Sequence, residues 1–534
     1  MASIIGNLVT DPSGAEMGAR ATLEPRRAAA DGRSVAAWPK RVWPNPRVAM
    51  AAASVLVAAW ASVSVSLTPR GPVTTAQALW AMGSALIVGV LAGYVAAGPW
   101  SFVVLPSVFV LALEAGRVSI VGPTVDAIHL DAFYGIVAFV VGRVFHGVLV
   151  LLPLEVGVSH GAWLASRAGH PRATSPGRLR WALTAVGSLA TVALAAAVAR
   201  PATTAPIVGA DGEPIAGSVA ELVALPIGGH QQMLMIRGRD VSGPVLLYLA
   251  GGPGGTDLGA VRRDVGLEED FVVAVWEQRG AGKSYAALDP AETLTVDQLV
   301  SDTIEVTDYL RERFGVEKVF LVGQSWGSTL GVLAVQARPD LYYALVGVGQ
   351  MVSQRATDVM FWEDTLAWAE ATGDEELAAA LRRNGPPPYA ELLRYDPVVS
   401  HEHDWNSYPE LDLSNEMPGI LFVPEYSFMD RVNAFRGFLD TNATLYPQLQ
   451  EIDFRRDVPS LGVPFYMVLG EHEARGRAVV AEEWFAMVEA PMKERFVIEG
   501  AGHRAHFDRP PEFRALMRHV LEQSAPRSRR YNDV

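Results

Sequence analysis

The chain has 534 residues, half of them apolar, a formal net charge of −14 and no cysteine. Without cysteine there are no disulfides, no thiolate nucleophile and no cysteine-ligated metal, so covalent catalysis here requires an oxygen nucleophile. The charge is unevenly shared: residues 1–205 carry 15 basic and 8 acidic residues, and the remainder 29 and 50. The acidic part argues against a nucleic-acid ligand and tolerates a cationic one, while the positive mean hydropathy points to a membrane.

Residues 1–47 are polar, rich in Ala, Gly and Pro, and hold seven cations from Arg20 to Arg47; they are expected to be disordered. Residues 48–200 are expected to form an all-α transmembrane domain, with apolar runs at about 48–67, 77–97, 100–113, 132–154 and 181–199. All but the third approach the ~20 residues that cross a hydrocarbon core. The third is short and joined to the second through Gly98-Pro99, which allows a re-entrant segment. Five spans put the amino terminus on one side with the 155–180 loop and its Arg167, Arg172, Arg178 and Arg180. The opposite loops carry Arg70, and Arg117 against Glu114, Asp126 and Asp131. The cation excess places the amino terminus in the cytoplasm and everything after about Arg200 outside it. The expectation is a multi-pass cell-membrane protein with an extracytoplasmic carboxyl-terminal domain. Arg143, with His146 three residues on, falls inside the fourth run. An ionisable group at that depth marks either a functional site or an interhelical contact.

Residues 201–216, with three prolines, read as a linker, and 217–534 as the second domain. Leu222 to Arg237 has the pattern of a hairpin around Gly228-Gly229. Pro244 to Leu249 reads as a buried strand ending in Ala250-Gly251-Gly252-Pro253-Gly254-Gly255, a turn that frees backbone N–H groups and lets a carbonyl come close. The next strand, Phe271 to Trp276, leads into Glu277-Gln278-Arg279-Gly280-Ala281-Gly282-Lys283-Ser284. Its end imitates a phosphate-binding loop, but the full pattern needs glycine where Glu277 stands, so nucleotide binding is rejected. Arg279 is expected to brace neighbouring loops.

Val319 to Val322 is another buried strand, followed by Gly323-Gln324-Ser325-Trp326-Gly327-Ser328 and a helical pattern from Thr329 to Ala337. G-x-S-x-G between strand and helix makes a nucleophile elbow with Ser325 exposed at the sheet edge. The expected oxyanion donors are the amides of Gly252 and Trp326.

The GGPGG loop, the QRG-x-G-x-S turn and the GxSWGS elbow, in this order and spacing, resemble the proline iminopeptidase branch of the α/β-hydrolase superfamily. The resemblance covers about 220–520. It implies an α/β-hydrolase fold, with a mostly parallel sheet, flanking helices and a helical cap at about 352–458. It also implies a serine hydrolase without cofactor or metal, acting as an aminopeptidase on the amino-terminal residues of peptides. Esterases share the scaffold, so a carboxylesterase or lipase acting on a small acyl ester stays open, as does a non-catalytic binding or sensory protein. The expected partners are such a peptide or acyl substrate and the lipid bilayer, with no nucleic acid. Two departures stand out: Ala250 where the family usually has His, and Glu277 where it usually has Asp.

The same resemblance assigns the rest of the triad. The strand Phe465 to Leu469 runs into Gly470-Glu471-His472-Glu473, and the acid falls at Glu473, where aspartate is usual; Glu471 is its rival. After the final strand, Phe496 to Ile498, the histidine falls at His503, with His506 as competitor. Cap carboxylates of the family hold a substrate ammonium, for which Glu363 and Glu425 are the candidates here. His401-Glu402-His403-Asp404 has metal-binding residue types but lacks the H-E-x-x-H frame, so no metal is expected. The tail Arg527 to Arg530 is expected to be a frayed end.

Overall fold

The computed structural model describes residues 45–170, 177–411 and 420–524. Most of the basic amino-terminal segment, Arg172 and the tail Arg527 to Arg530 lie outside the described residues.

The amino-terminal region is a set of helices: α1 (Pro46–Leu67), α2 (Thr75–Ala96), α3 (Ser101–Arg117), α4 (Phe133–Arg167) and α5 (Arg178–Ala199). Four of them, α1, α2, α4 and α5, are long and apolar enough to cross a membrane. Five spans were expected; α3, at 17 residues, extends about 25 Å at 1.5 Å per residue, short of a ~30 Å hydrocarbon core. Helix α4 continues through a π turn at Val140–Val144 and runs past the end of its apolar run to Arg167. A Cβ built on Gly89 of α2 would lie 2.3 Å from the Leu154 carbonyl oxygen, and one on Gly161 of α4 would lie 2.1 Å from that of Val90. Small residues at this spacing let the two backbones touch. Helix α5 buries only Val198, and Leu183, Val186, Leu189 and Val192 face outward, as suits an apolar solvent.

The second region is built on one eight-stranded sheet: β1 (Val219–Ile227), β2 (His230–Gly238), β3 (Val245–Leu249), β4 (Val272–Glu277), β5 (Val319–Gln324), β6 (Tyr342–Val348), β7 (Phe465–Gly470) and β8 (Lys493–Ile498). Their order is β1-β2-β4-β3-β5-β6-β7-β8. The β1–β2 hairpin adds to β4 antiparallel, and all pairs from β4 to β8 are parallel. Central strands read as unbroken apolar runs because both faces are covered. Leu247, Leu249, Leu321 and Met467 enter one core, and Leu246, Tyr248, Val322 and Val468 the other. The parallel order brings the carboxyl ends of β3, β5, β7 and β8 to one edge, where ligands of open α/β sheets bind. As expected, Arg279 is a brace: it donates to both oxygens of Asp302 at 2.8 and 2.9 Å and to the Gly228 carbonyl at 3.1 Å.

Between β6 and β7 come helices Gln354–Thr372, Glu375–Asn384 and a long cap helix, Phe428–Leu449. The expected helical cap is broken at Gly373, which adopts φ 79° and caps the first of these. The cap helix is held by the amino-terminal region. Asn433 Nδ2 donates to the Val73 carbonyl at 2.6 Å, and Arg436 Nη1 to that of Pro72 at 2.6 Å. Asp440 accepts the Thr124 amide at 3.1 Å, the Thr124 hydroxyl at 2.5 Å and the Tyr285 hydroxyl at 2.6 Å. Asp396 accepts the amides of Phe133 and Tyr134 at 3.1 Å each, at the start of α4. The α1–α2 and α3–α4 connections therefore lie on the hydrolase side, and α3 joins opposite ends of the helical set. The 201–216 segment is docked too: Thr203 donates its amide to Pro424 at 3.0 Å, and Arg237 Nη1 reaches the Ala205 carbonyl at 2.7 Å.

Candidate active site

Ser325 links β5 to helix Trp326–Ala337 with φ 51° and ψ −121°. A non-glycine residue at positive φ is strained and persists only where its surroundings over-determine it. Here they do. The Ser325 amide donates to the Val348 carbonyl of β6 at 2.9 Å. A Cβ on Gly327 would lie 2.1 Å from the Leu249 carbonyl oxygen, so only glycine lets the helix start this close to β3. The indole Nε1 of Trp326 donates to Gln278 Oε1 at 2.9 Å, and Gln278 Nε2 donates to the Ala250 carbonyl at 3.0 Å. Gln278 thus ties the elbow to the glycine turn. Sequence reasoning had no role for it, although its place in the QRG motif was the available signal.

Glu473 follows β7 and His503 follows β8. The imidazole Nδ1 is 2.9 Å from Glu473 Oε2. The other oxygen, Oε1, accepts the Ala474 amide at 3.0 Å and Arg477 Nε at 2.6 Å. Burial pushes this carboxyl up, but His503 and Arg477 outweigh burial and hold it down at about 2. An ionised carboxylate only accepts, so Nδ1 carries a proton, and in the neutral ring Nε2 is then the acceptor. The rivals sit elsewhere. Glu471 is exposed and accepts the Gly500 amide at 2.9 Å. His506 is buried 2.7 Å from the Tyr248 hydroxyl, with burial and then Arg504 holding its pKa far below the usual imidazole range.

Ser325, His503, Gly251 and Gly252 line one cavity of about 310 Å³. Gly252 and Trp326 donate their amides to no backbone acceptor outside regular elements among the described residues. The polar wall includes Asp257, Glu402, His403 and Asp508; the apolar wall includes Phe438 and Phe507. Phe438 belongs to the cap helix and packs on Tyr134 of α4, with ring centroids 5.8 Å apart. Glu277, the departure from the expected Asp, is buried and accepts from the hydroxyls of Thr256 and Tyr426 and the Lys283 amide. Burial raises its pKa, and those donors partly offset the rise.

The structure takes both expected ammonium ligands away from the cavity. Glu363 is half exposed on helix Gln354–Thr372 and pairs with Arg475 at 3.0 Å. Glu425 is fully buried and accepts Arg262 Nε at 2.7 Å and the Thr204 hydroxyl at 2.8 Å. Sequence position alone could not tell a solvated helix face or a docked linker from a cavity wall. Among the described residues, the cap carboxylate on the cavity wall is Glu402, which also pairs with Arg477.

Residues 244–510 match the alpha/beta hydrolase fold family. A probable aminopeptidase of Bacillus subtilis is 31% identical over 308 residues, 57% of this chain and 97% of the relative. A probable proline iminopeptidase of Leptolyngbya boryana is 30% identical over 144 residues, 27% of this chain and 43% of the relative. Among solved structures, the proline iminopeptidase-related protein of Thermus thermophilus is 22% identical, covers 58% of this chain and 99% of its own, and has a TM-score of 0.39.

Proposed function

The chain belongs to the α/β-hydrolase family, in its proline iminopeptidase-like branch, and on that premise we propose a membrane-held serine aminopeptidase that removes amino-terminal residues from peptides. The observation that carries this reading is the Glu473–His503 pair on the cavity that Ser325 also lines. His503 Nε2 takes the hydroxyl proton as Ser325 Oγ attacks the scissile carbonyl carbon. Glu473 keeps the imidazole in the required tautomer and stabilises its cation. The amides of Gly252 and Trp326 receive the oxyanion, each such donor contributing about 2.7–4 kcal/mol. His503 returns the proton to the leaving amine, the C–N bond breaks, and an acyl-serine remains. Water, activated by the same imidazole, then releases the acid and restores Ser325. The cavity-wall carboxylates Asp257, Glu402 and Asp508, the first two shared with Arg504 and Arg477, take the place of Glu363 and Glu425 as candidates for holding a cationic α-ammonium.

A second reading, hydrolysis of small acyl esters, draws on the apolar wall at Phe438 and Phe507. Full-length protein assayed on aminoacyl-naphthylamides and on p-nitrophenyl acyl esters, with Ser325→Ala as control, separates the two. Amide turnover that Ser325→Ala abolishes supports the aminopeptidase. Ester turnover alone supports the second reading. No Ser325-dependent turnover leaves a binding or sensory protein.

We further infer that α1, α2, α4 and α5 span the membrane and that the shorter α3 returns the chain across it where the bilayer thins to its length, with the amino terminus cytoplasmic and the hydrolase outside. The support is the cation excess at Arg167, Arg178 and Arg180, by the positive-inside rule, and the contact of both opposite loops with the cap helix.

A further inference from the structure

A second cavity, of about 370 Å³, lies between α3 and α4, away from the hydrolase site. Phe109, Leu113 and Leu151 line one part of it, and Glu114, Arg117 and Arg143 another, with His146 alongside. Because the end of α3 and the start of α4 both face the hydrolase, the basic groups occupy that end and the apolar residues lie deeper. Glu114 is shared: it accepts Arg117 Nη1 at 3.0 Å and Arg143 Nη2 at 3.2 Å. One carboxylate between two guanidinium groups leaves a positive excess. Arg143 also donates to the carbonyls of Val125 and Asp126, so an interhelical role accounts for part of its bonding. Arg117 Nη2 likewise reaches the Gly142 carbonyl of α4 at 3.3 Å, but such contacts do not account for Arg117 Nε or for His146. Each is 2% exposed, and Arg117 Nε and His146 Nδ1 have no hydrogen-bond partner among the described residues. A polar group buried without a partner is costly, and a ligand that supplies the partner is correspondingly favoured.

We propose that this cavity binds an anionic amphiphile, its negatively charged head at Arg117 and Arg143 and its acyl chain running down past Leu113 to Phe109 and Leu151. The volume falls in the range of small-molecule sites, about 300–1,000 Å³. Polar end toward the interface and apolar end toward the membrane centre is the arrangement of a lipid inserted from the hydrolase side. A free fatty acid supplies that head as a carboxylate and an acidic phospholipid as a phosphate. The proposal does not rest on the aminopeptidase reading.

The test uses the full chain in nanodiscs of phosphatidylcholine, with a diazirine-bearing palmitic acid as photoprobe. Labelling is expected on α3 and α4 and is displaced by an anionic competitor but not by hexadecanol. Displacement by palmitate names the fatty acid as source; displacement by phosphatidylglycerol names the phospholipid. Arg143→Gln should weaken labelling about tenfold, the size of one lost hydrogen bond to a charged group. Leu151→Trp should do the same by filling the chain end with the charges intact, which keeps the test decisive if the arginine variant does not fold. Labelling elsewhere, equal displacement by hexadecanol, or labelling unchanged in both variants would overturn the proposal.

Discussion

Arg477 Nε donates to Glu473 Oε1 at 2.6 Å, which leaves Oε2 of the same carboxylate to face His503. The carboxylate is fully buried, and this arginine, with His503, holds it ionised against that burial. Arg477 in turn is anchored on Glu402 of the cap.

The pH consequence follows from that pair. Folding depresses the Glu473 pKa from 4.5 to about 2, so its stabilising contribution is complete above pH 4.5 and is lost as pH falls through about 2. Arg477→Met removes one of the groups that depress it and raises the folded-state pKa towards 4.5, so stability at neutral pH should fall, and the acid loss should be smaller and be complete at a higher pH than in the parent. Melting temperatures recorded across the acid range check this; coincident curves would show that Arg477 does not support the carboxylate.

Replacing Glu473 by Gln removes the acceptor that selects the imidazole tautomer. Turnover should fall by about four orders of magnitude with little change in KM. Glu471→Gln should leave kcat nearly intact, because Glu471 faces solvent. Steady-state kinetics on the best substrate from the two panels decides between them.

Gly327→Ala places a methyl group within 2.1 Å of the Leu249 carbonyl oxygen. The elbow helix must shift, so activity should drop at least tenfold, roughly 1.4 kcal/mol at the barrier. The melting temperature should drop with it. Parent activity and stability in this variant would show that the elbow tolerates movement.

Asp440→Ala breaks the contact of the cap helix with Thr124 and Tyr285. Removing one member of a buried charged network typically costs about 3–5 kcal/mol. The cap should become sensitive to limited proteolysis, and KM should rise, because Phe438 on the same helix lines the cavity. Unchanged proteolysis would mean that the helical region does not hold the cap.

The absence of native cysteine makes orientation directly measurable. In intact cells a membrane-impermeant maleimide should label Glu292→Cys, on the exposed hydrolase surface, and spare Ala168→Cys, at the far end of α4. The reverse pattern would turn the protein over in the membrane.

Most strands were legible along the chain because a parallel sheet covered on both faces needs uninterrupted apolar runs, and several, such as β3 at Gly251-Gly252 and β6 at Gly349, run straight into turn glycines. Strand, turn and helix around Ser325 are local, so the elbow could be read from six residues. The carboxylate–imidazole pair was legible only through resemblance, since Glu473 and Glu471 are equivalent by composition. Tertiary structure separated them by placing one behind His503 and the other in solvent. It also removed Glu363 and Glu425 from the cavity, brought Glu402 into it and packed the helical region onto the cap. Side-chain period and turn chemistry are properties of neighbouring residues, whereas cavity walls and buried ion pairs are made by residues far apart in the chain. Which of those meet is settled by how the layers pack, and no local pattern encodes it.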